Sequence, residues 1–181
     1  MANPIEQAAA GAMGAAKAVK ATAKGLTGVF RHLMQEHGEV STLMKRVSMS
    51  SDAQVRREHY PKIRAELISH ERAEVRVVYS ELGALQQTRD VAAKHNSEAK
   101  ELESAIAELD AIDPASSEWG PAFQQLVQLV TAHVTEEESD FFPKAQEVIG
   151  EDEAKALLER YESAKKNVKM ELAAEPAPAA S

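Results

Sequence analysis

The chain has 181 residues, 44% hydrophobic, 28% charged and only 4% aromatic, with a formal net charge of −8. That length supports one domain with a real core, and the acidic balance disfavours nucleic acid as a partner, because phosphate repels a negative surface. With no cysteine there are no disulfides, thiolate metal sites or thiol nucleophiles, which fits a reducing, cytoplasmic setting.

Residues 1–26 are rich in Ala, with Lys17, Lys20 and Lys24 spaced along one face. They lack the compact apolar run of a secretory signal, so a helical or frayed extension is expected. No span approaches the roughly 18 apolar residues of a membrane helix, and no membrane partner is expected. A first bundle helix is expected over about Thr27–Val47, where Phe30, Leu33, His37, Val40, Met44 and Val47 recur at steps of three and four. Ser48 to Asp52 reads as a turn, with Ser51 or Asp52 able to cap the next helix.

A second helix is expected over about Ala53–Leu85, with Ile63, Leu67, His70, Glu74, Val77 and Glu81 as its inward stripe. Pro61 implies that this helix begins near it or bends there. A third helix, about Asp90–Ile112, carries Val91, His95, Leu102, Ile106 and Leu109, with Glu98 on the same side, and Asp113-Pro114 stops it. A fourth opens near Ser116 or Ser117 and runs to about Ser139, with Phe123, Leu126, Val130, His133 and Glu137 facing inward. Pro143 interrupts the pattern, and a short helical turn is expected up to Gly150. A last amphipathic helix, about Glu151–Leu172, carries Leu157, Tyr161 and Val168, and residues 173–181 read as a disordered tail. No strand-like alternation occurs. The expectation is all-α: residues 27–172 form an up-and-down antiparallel four-helix bundle with an N-terminal helical extension and an additional C-terminal helix.

Four of the six histidines lie on inward stripes of four different helices. Two of them, His70 and His133, are followed four residues later by Glu74 and Glu137, which places each pair on one helix face about 6 Å apart along the axis. His37 and His95 add one imidazole each. An isolated inward histidine is more often a satisfied core residue than a ligand, but burying two carboxylates beside four imidazoles costs several kcal/mol unless a cation compensates. A pair of divalent ions roughly 3.5–4 Å apart suits this set, because a carboxylate can bridge two metals. Imidazole mixed with carboxylate favours iron, then zinc or manganese.

His32 should face away from that axis, and His59 lies too far along its helix to share the site, so both read as surface or end-of-bundle residues. Glu66, Glu71, Glu98 and Glu138 could accept hydrogen bonds from ligand imidazoles, but a solvated face is the simpler expectation. Periodicity does not favour an inward Tyr60 or Tyr79.

The segments QEHGEVSTLM around His37, ISHERAEVRVVYSEL around His70, the lone His95 and AHVTEEESDFFP around His133 resemble the hemerythrin-like, or HHE cation-binding, family over roughly Val29–Ile149. The resemblance implies a four-helix bundle holding two Fe ions, oxo- or hydroxo-bridged. Position by position, His37, His70, His95 and His133 match its histidine ligands, and Glu74 and Glu137 its bridging carboxylates. Oxygen-carrying members have a further histidine where this chain has Ala99, and a last carboxylate five residues after its histidine rather than four. Both departures resemble the bacterial and iron-sensing branch.

The expected function is a di-iron protein that binds or reacts with small oxygen and nitrogen species (dioxygen, peroxide, nitric oxide), with catalase-like peroxide disproportionation as the concrete chemistry. The alternatives are a non-enzymatic iron or oxygen sensor, an iron-holding protein, or a metal-free helical module.

Overall fold

The structure, a computed structural model, describes residues 4–174; residues 175–181 of the expected tail, and residues 1–3, lie outside them. Seven α-helices succeed one another among the described residues: α1 Pro4–Ala23, α2 Gly28–Ser48, α3 Ala53–Ala73, α4 Tyr79–Gly83, α5 Arg89–Asp110, α6 Trp119–Glu136 and α7 Phe142–Ala174. Two π-helical turns, Glu74–Val78 and Glu137–Phe141, join α3 to α4 and α6 to α7. There is no strand among the described residues. The short connections between α2, α3–α4, α5 and α6 reverse the chain each time, which gives the expected bundle. The helix α7 packs along α2 and α3, and α1 lies on α2.

Local chemistry sets the ends. Asp52 caps α3 by accepting from the Gln54 amide at 2.8 Å. That helix runs past Pro61 from its start at Ala53, so Pro61 does not mark its beginning. Pro143 falls in the first turn of α7, where a missing N–H costs least, and the short helical segment expected after it ends at Gly150. Gly150, at φ 79°, puts a kink inside α7, which side chains with a Cβ would resist.

The crossing of α1 on α2 depends on two glycines. A Cβ on Gly38 would come within 2.7 Å of the Met13 carbonyl, and one on Gly14 within 2.9 Å of the Gln35 carbonyl. Backbone meets backbone there, with Ala10, Ala18 and Ala21 buried on the same side.

Two apolar clusters make the core. One contains Phe30, Leu33, Met34, Tyr79, Phe141, Phe142 and Leu157. The other contains Val40, Met44, Ile63, Leu67, Ile106, Trp119 and Phe123. His37, His70, His95 and His133 are the break between them: on α2, Met34 belongs to the first cluster and Val40 to the second. The polar residues thus form one layer across the bundle.

The second stripe departs from expectation. Beyond Glu74 the buried residues are Val78, Tyr79 and Leu82, whereas Val77 is only half-buried and Glu81 is exposed. The π-turn is the cause. It closes on an i→i+5 bond, from the Tyr79 amide to the Glu74 carbonyl. A residue five positions on therefore lands over its partner, instead of about 140° round the helix.

Candidate metal centre

All six donors expected from the sequence converge in the polar layer, and Glu71 joins them. They form two groups: His37, His70 and Glu137, and Glu71, Glu74, His95 and His133. Within each group the donor atoms lie within 4.8 Å of one another. Glu74 and Glu137 stand between the groups. Glu74 Oε2 is 3.3 Å from His70 Nε2 and 3.7 Å from His95 Nε2. Glu137 Oε2 is 3.4 Å from His37 Nε2 and 3.5 Å from His133 Nε2, and its Oε1 is 3.4 Å from His95 Nε2. Each of these two carboxylates opens a π-turn.

Glu71 departs from the solvated face expected of it, for it is 2% exposed. It places Oε1 3.2 Å from His133 Nε2 and Oε2 3.7 Å from His95 Nε2. Ala99 offers no donor on that side, and Glu71 supplies one from α3. The signal is its place on the helix: about 100° from His70 and about 60° from Glu74, at the edge of the same arc.

The outer nitrogens explain how the rings are aimed. A carboxylate only accepts, so each imidazole Nδ1–H that meets one must donate. His37 Nδ1 donates to Glu138 at 3.0 Å, His70 Nδ1 to Glu36 at 2.9 Å, and His133 Nδ1 to Glu98 at 3.3 Å. Each bond turns the Nε2 lone pair inward. Glu98 and Glu138 therefore back ligand-position imidazoles rather than facing solvent. Glu66 does not: it pairs with Lys165 and Lys169. Glu36, which the apolar stripes do not single out, is the most connected acid. It accepts from His32 Nε2 at 3.0 Å, Tyr161 Oη at 2.6 Å and Lys165 Nζ at 2.7 Å, besides His70. Burial opposes its charge, but the bonds from His32 and His70 and the nearby Lys165 hold its carboxyl well below the usual range.

Two tyrosines differ from each other. Tyr60 donates to Asp110 at 2.8 Å, far from the layer. Tyr79, contrary to its periodicity, lies inward: it is buried, stacks on His95 and donates to Glu137 Oε1 at 2.5 Å. Burial and the neighbouring Glu137 and Glu74 push its hydroxyl up, so it keeps its proton. His32 is half-buried and serves Glu36. His59 is not at the surface: it is 5% exposed, because it lies on the same α3 face as His70, yet it belongs to neither donor group.

The residues fit bound metal cations. His37 Nε2 and His70 Nε2 are 3.2 Å apart with both Nδ1 atoms committed as donors, so two lone pairs face each other. Both oxygens of Glu74, Oε2 of Glu71 and of Glu137, and Nε2 of His95 and His133 are buried without a hydrogen bond. A buried polar group left without a hydrogen bond costs about 1–3 kcal/mol. Without a cation the strain appears as displaced protons. Burial, Glu137 and Glu71 drive Glu74 well above the carboxylate range. Burial disfavours a proton on His133, but Glu137 and Glu71 outweigh it and push the imidazole up to about 11.

Residues 23–145 match the hemerythrin HHE cation-binding domain. This chain belongs to the hemerythrin HHE family. A protein named DNA nickase from Nostoc sp. is 24% identical over 140 residues, covering 77% of this chain and 40% of that protein. The chain thus spans well under half of that relative's length. No solved structure matches it. The HHE segment contains all seven candidate donors, whereas α1 and most of α7 lie outside it.

Proposed function

We propose that this chain is a non-haem di-iron protein that binds small oxygen and nitrogen species and disproportionates peroxide. One observation supports the dinuclear reading above others: Glu74 and Glu137 each stand between the two donor groups. Iron is favoured over other divalent ions by the mixture of imidazole and carboxylate without thiolate.

When bound, the iron pair supplies the redox change that turns two hydrogen peroxide molecules into two waters and one dioxygen. The chain's own residues set the conditions for that chemistry. His37, His70, His95 and His133 would offer their Nε2 atoms to the ions, three of them held by a carboxylate on Nδ1. The Tyr79 hydroxyl holds a proton against Glu137 Oε1 and fixes that carboxylate's rotamer. Seven protein donors cannot fill two octahedral ions even with two bridges, so positions remain for a small ligand. The nicking activity named for the Nostoc relative does not enter this reading, since a net charge of −8 opposes contact with phosphate.

The deciding experiment measures iron per chain, the visible spectrum with and without azide, and peroxide consumption. About two irons, an azide-sensitive charge-transfer band and turnover that His70→Ala abolishes are expected. Less than about 0.2 metal per chain after iron loading ends the metal reading. Full loading with no peroxide consumption replaces catalysis with iron or oxygen sensing, or iron holding.

A further inference from the structure

A cavity of about 740 Å³ opens between α1, α2, α3, α6 and α7 and ends on His37, His70, Glu71 and His133. Dioxygen or peroxide needs little more room than a water molecule, about 30 Å³. Cavities of roughly 300–1,000 Å³ hold organic ligands. The walls leading to the histidines are apolar, formed by Val40, Leu43, Leu67 and Val130.

The outer end carries four amines, of which Lys165 is buried. Lys165 is engaged by Glu36 and Glu66, and Lys169 by Glu66. Lys62 and Lys166 also line the cavity, and no carboxylate among the described residues lies within ion-pair distance of either. The remaining mouth acids keep their charge: Glu39 accepts only from the neutral Gln35 amide and Glu162 lies 4.0 Å from His32, so the cationic character is local to Lys62 and Lys166. Two uncommitted cations at the mouth of an apolar shaft match an anionic head on a hydrocarbon chain.

Part of the cavity's wall comes from outside the HHE segment. Lys166 belongs to α7 and Gly11 to α1, both outside residues 23–145. At Gly11 a Cβ would meet nothing within 4 Å, so the small residue leaves the space open.

We propose that this cavity binds a medium-chain carboxylate, its head on Lys62 and Lys166 and its chain running toward the donor layer. The placement beside a metal rests on the di-iron reading; the cavity itself does not. The test titrates decanoate calorimetrically into iron-loaded and iron-free protein, with decanol and acetate as comparisons.

Decanoate is expected to bind at least about tenfold more tightly than either. The double variant Lys62→Glu, Lys166→Glu should remove its advantage over decanol, and Gly11→Trp should weaken it about tenfold while azide still perturbs the iron spectrum. Decanoate binding no tighter than acetate or decanol, or unchanged in Gly11→Trp and in the double variant, overturns the proposal. If iron fails to load but decanoate binds as described, the di-iron reading falls and the cavity assignment stands.

Discussion

The Tyr79 hydroxyl donates to Glu137 Oε1 across the donor layer, tying the π-turn after α3 to the one after α6. Tyr79→Phe deletes that donor and leaves the ring, so the stack on His95 survives. Loss of a partner that orients a ligand costs about 10–100-fold in metal affinity or activity. Iron per chain at saturation should stay as in the parent, while peroxide turnover falls and the charge-transfer band shifts. An unchanged spectrum and rate would show that Glu137 is positioned without the tyrosine.

Glu71 separates a dinuclear site of seven donors from one of six. Glu71→Ala removes a donor from the His95 and His133 group only. Metal analysis should find loading reduced toward about one ion per chain, because each bound ion needs its own donor set. Glu66→Gln, changed at an acid that pairs with Lys165 and Lys169 instead, should load fully. Equal stoichiometry in both variants would return Glu71 to a structural role.

Lys17 acts on the centre at one remove. Its amine pairs with Glu138, whose same oxygen accepts from His37 Nδ1, and Lys24 holds the Glu138 carbonyl at 2.7 Å. Lys17→Met should lower iron affinity about tenfold, with Lys17→Arg restoring most of it. Chelator competition reads this directly, and a purely stabilising Lys17 would change the melting temperature without moving the affinity.

Gly38→Leu tests the same helix by steric means. The new side chain meets the α1 backbone, where overpacking costs about 1–3 kcal/mol. Limited proteolysis should cut within α1 first, with Tm lowered and the rest of the bundle protected. Protection of α1 equal to the parent would mean that the crossing yields without cost.

Iron removal should destabilise the whole bundle. The orphaned donors lose their compensation, and a ligand present at a hundredfold excess over its Kd contributes about 2.7 kcal/mol. For a chain of this size that is a fall in Tm of roughly 5–10 °C. Calorimetry with and without chelator measures it, and identical transitions would contradict a metal-stabilised layer.

The convergence of His37, His70, His95, His133, Glu74 and Glu137 on one level is legible in the sequence, because up to that layer every helix keeps the α period. The failures begin where that period ends. A rule of 100° per residue puts Glu81 inward and Tyr79 elsewhere; the π-turn at Glu74–Val78 exchanges them. Phe142 likewise comes over Glu137, through its amide bond to the Glu137 carbonyl, and stacks on His37. Nothing in a hydrophobic pattern announces a π-turn in advance. Glu36, which the apolar stripes pass over, and Glu138, for which a solvated face is the simpler expectation, escape for another reason. Each immediately adjoins a layer residue, His37 or Glu137, and works through a ring's outer nitrogen, which periodicity does not address.

The kink at Gly150 matters beyond α7 itself. Past it the chain brings Tyr161 and Lys165 onto Glu36, just as α1 brings Lys17 onto Glu138. A fragment trimmed to residues 23–145 would retain every atom able to grip an ion while discarding the braces behind two of the imidazoles. Such a minimal piece should capture iron loosely and exchange it fast, so recombinant work on this protein calls for both flanks.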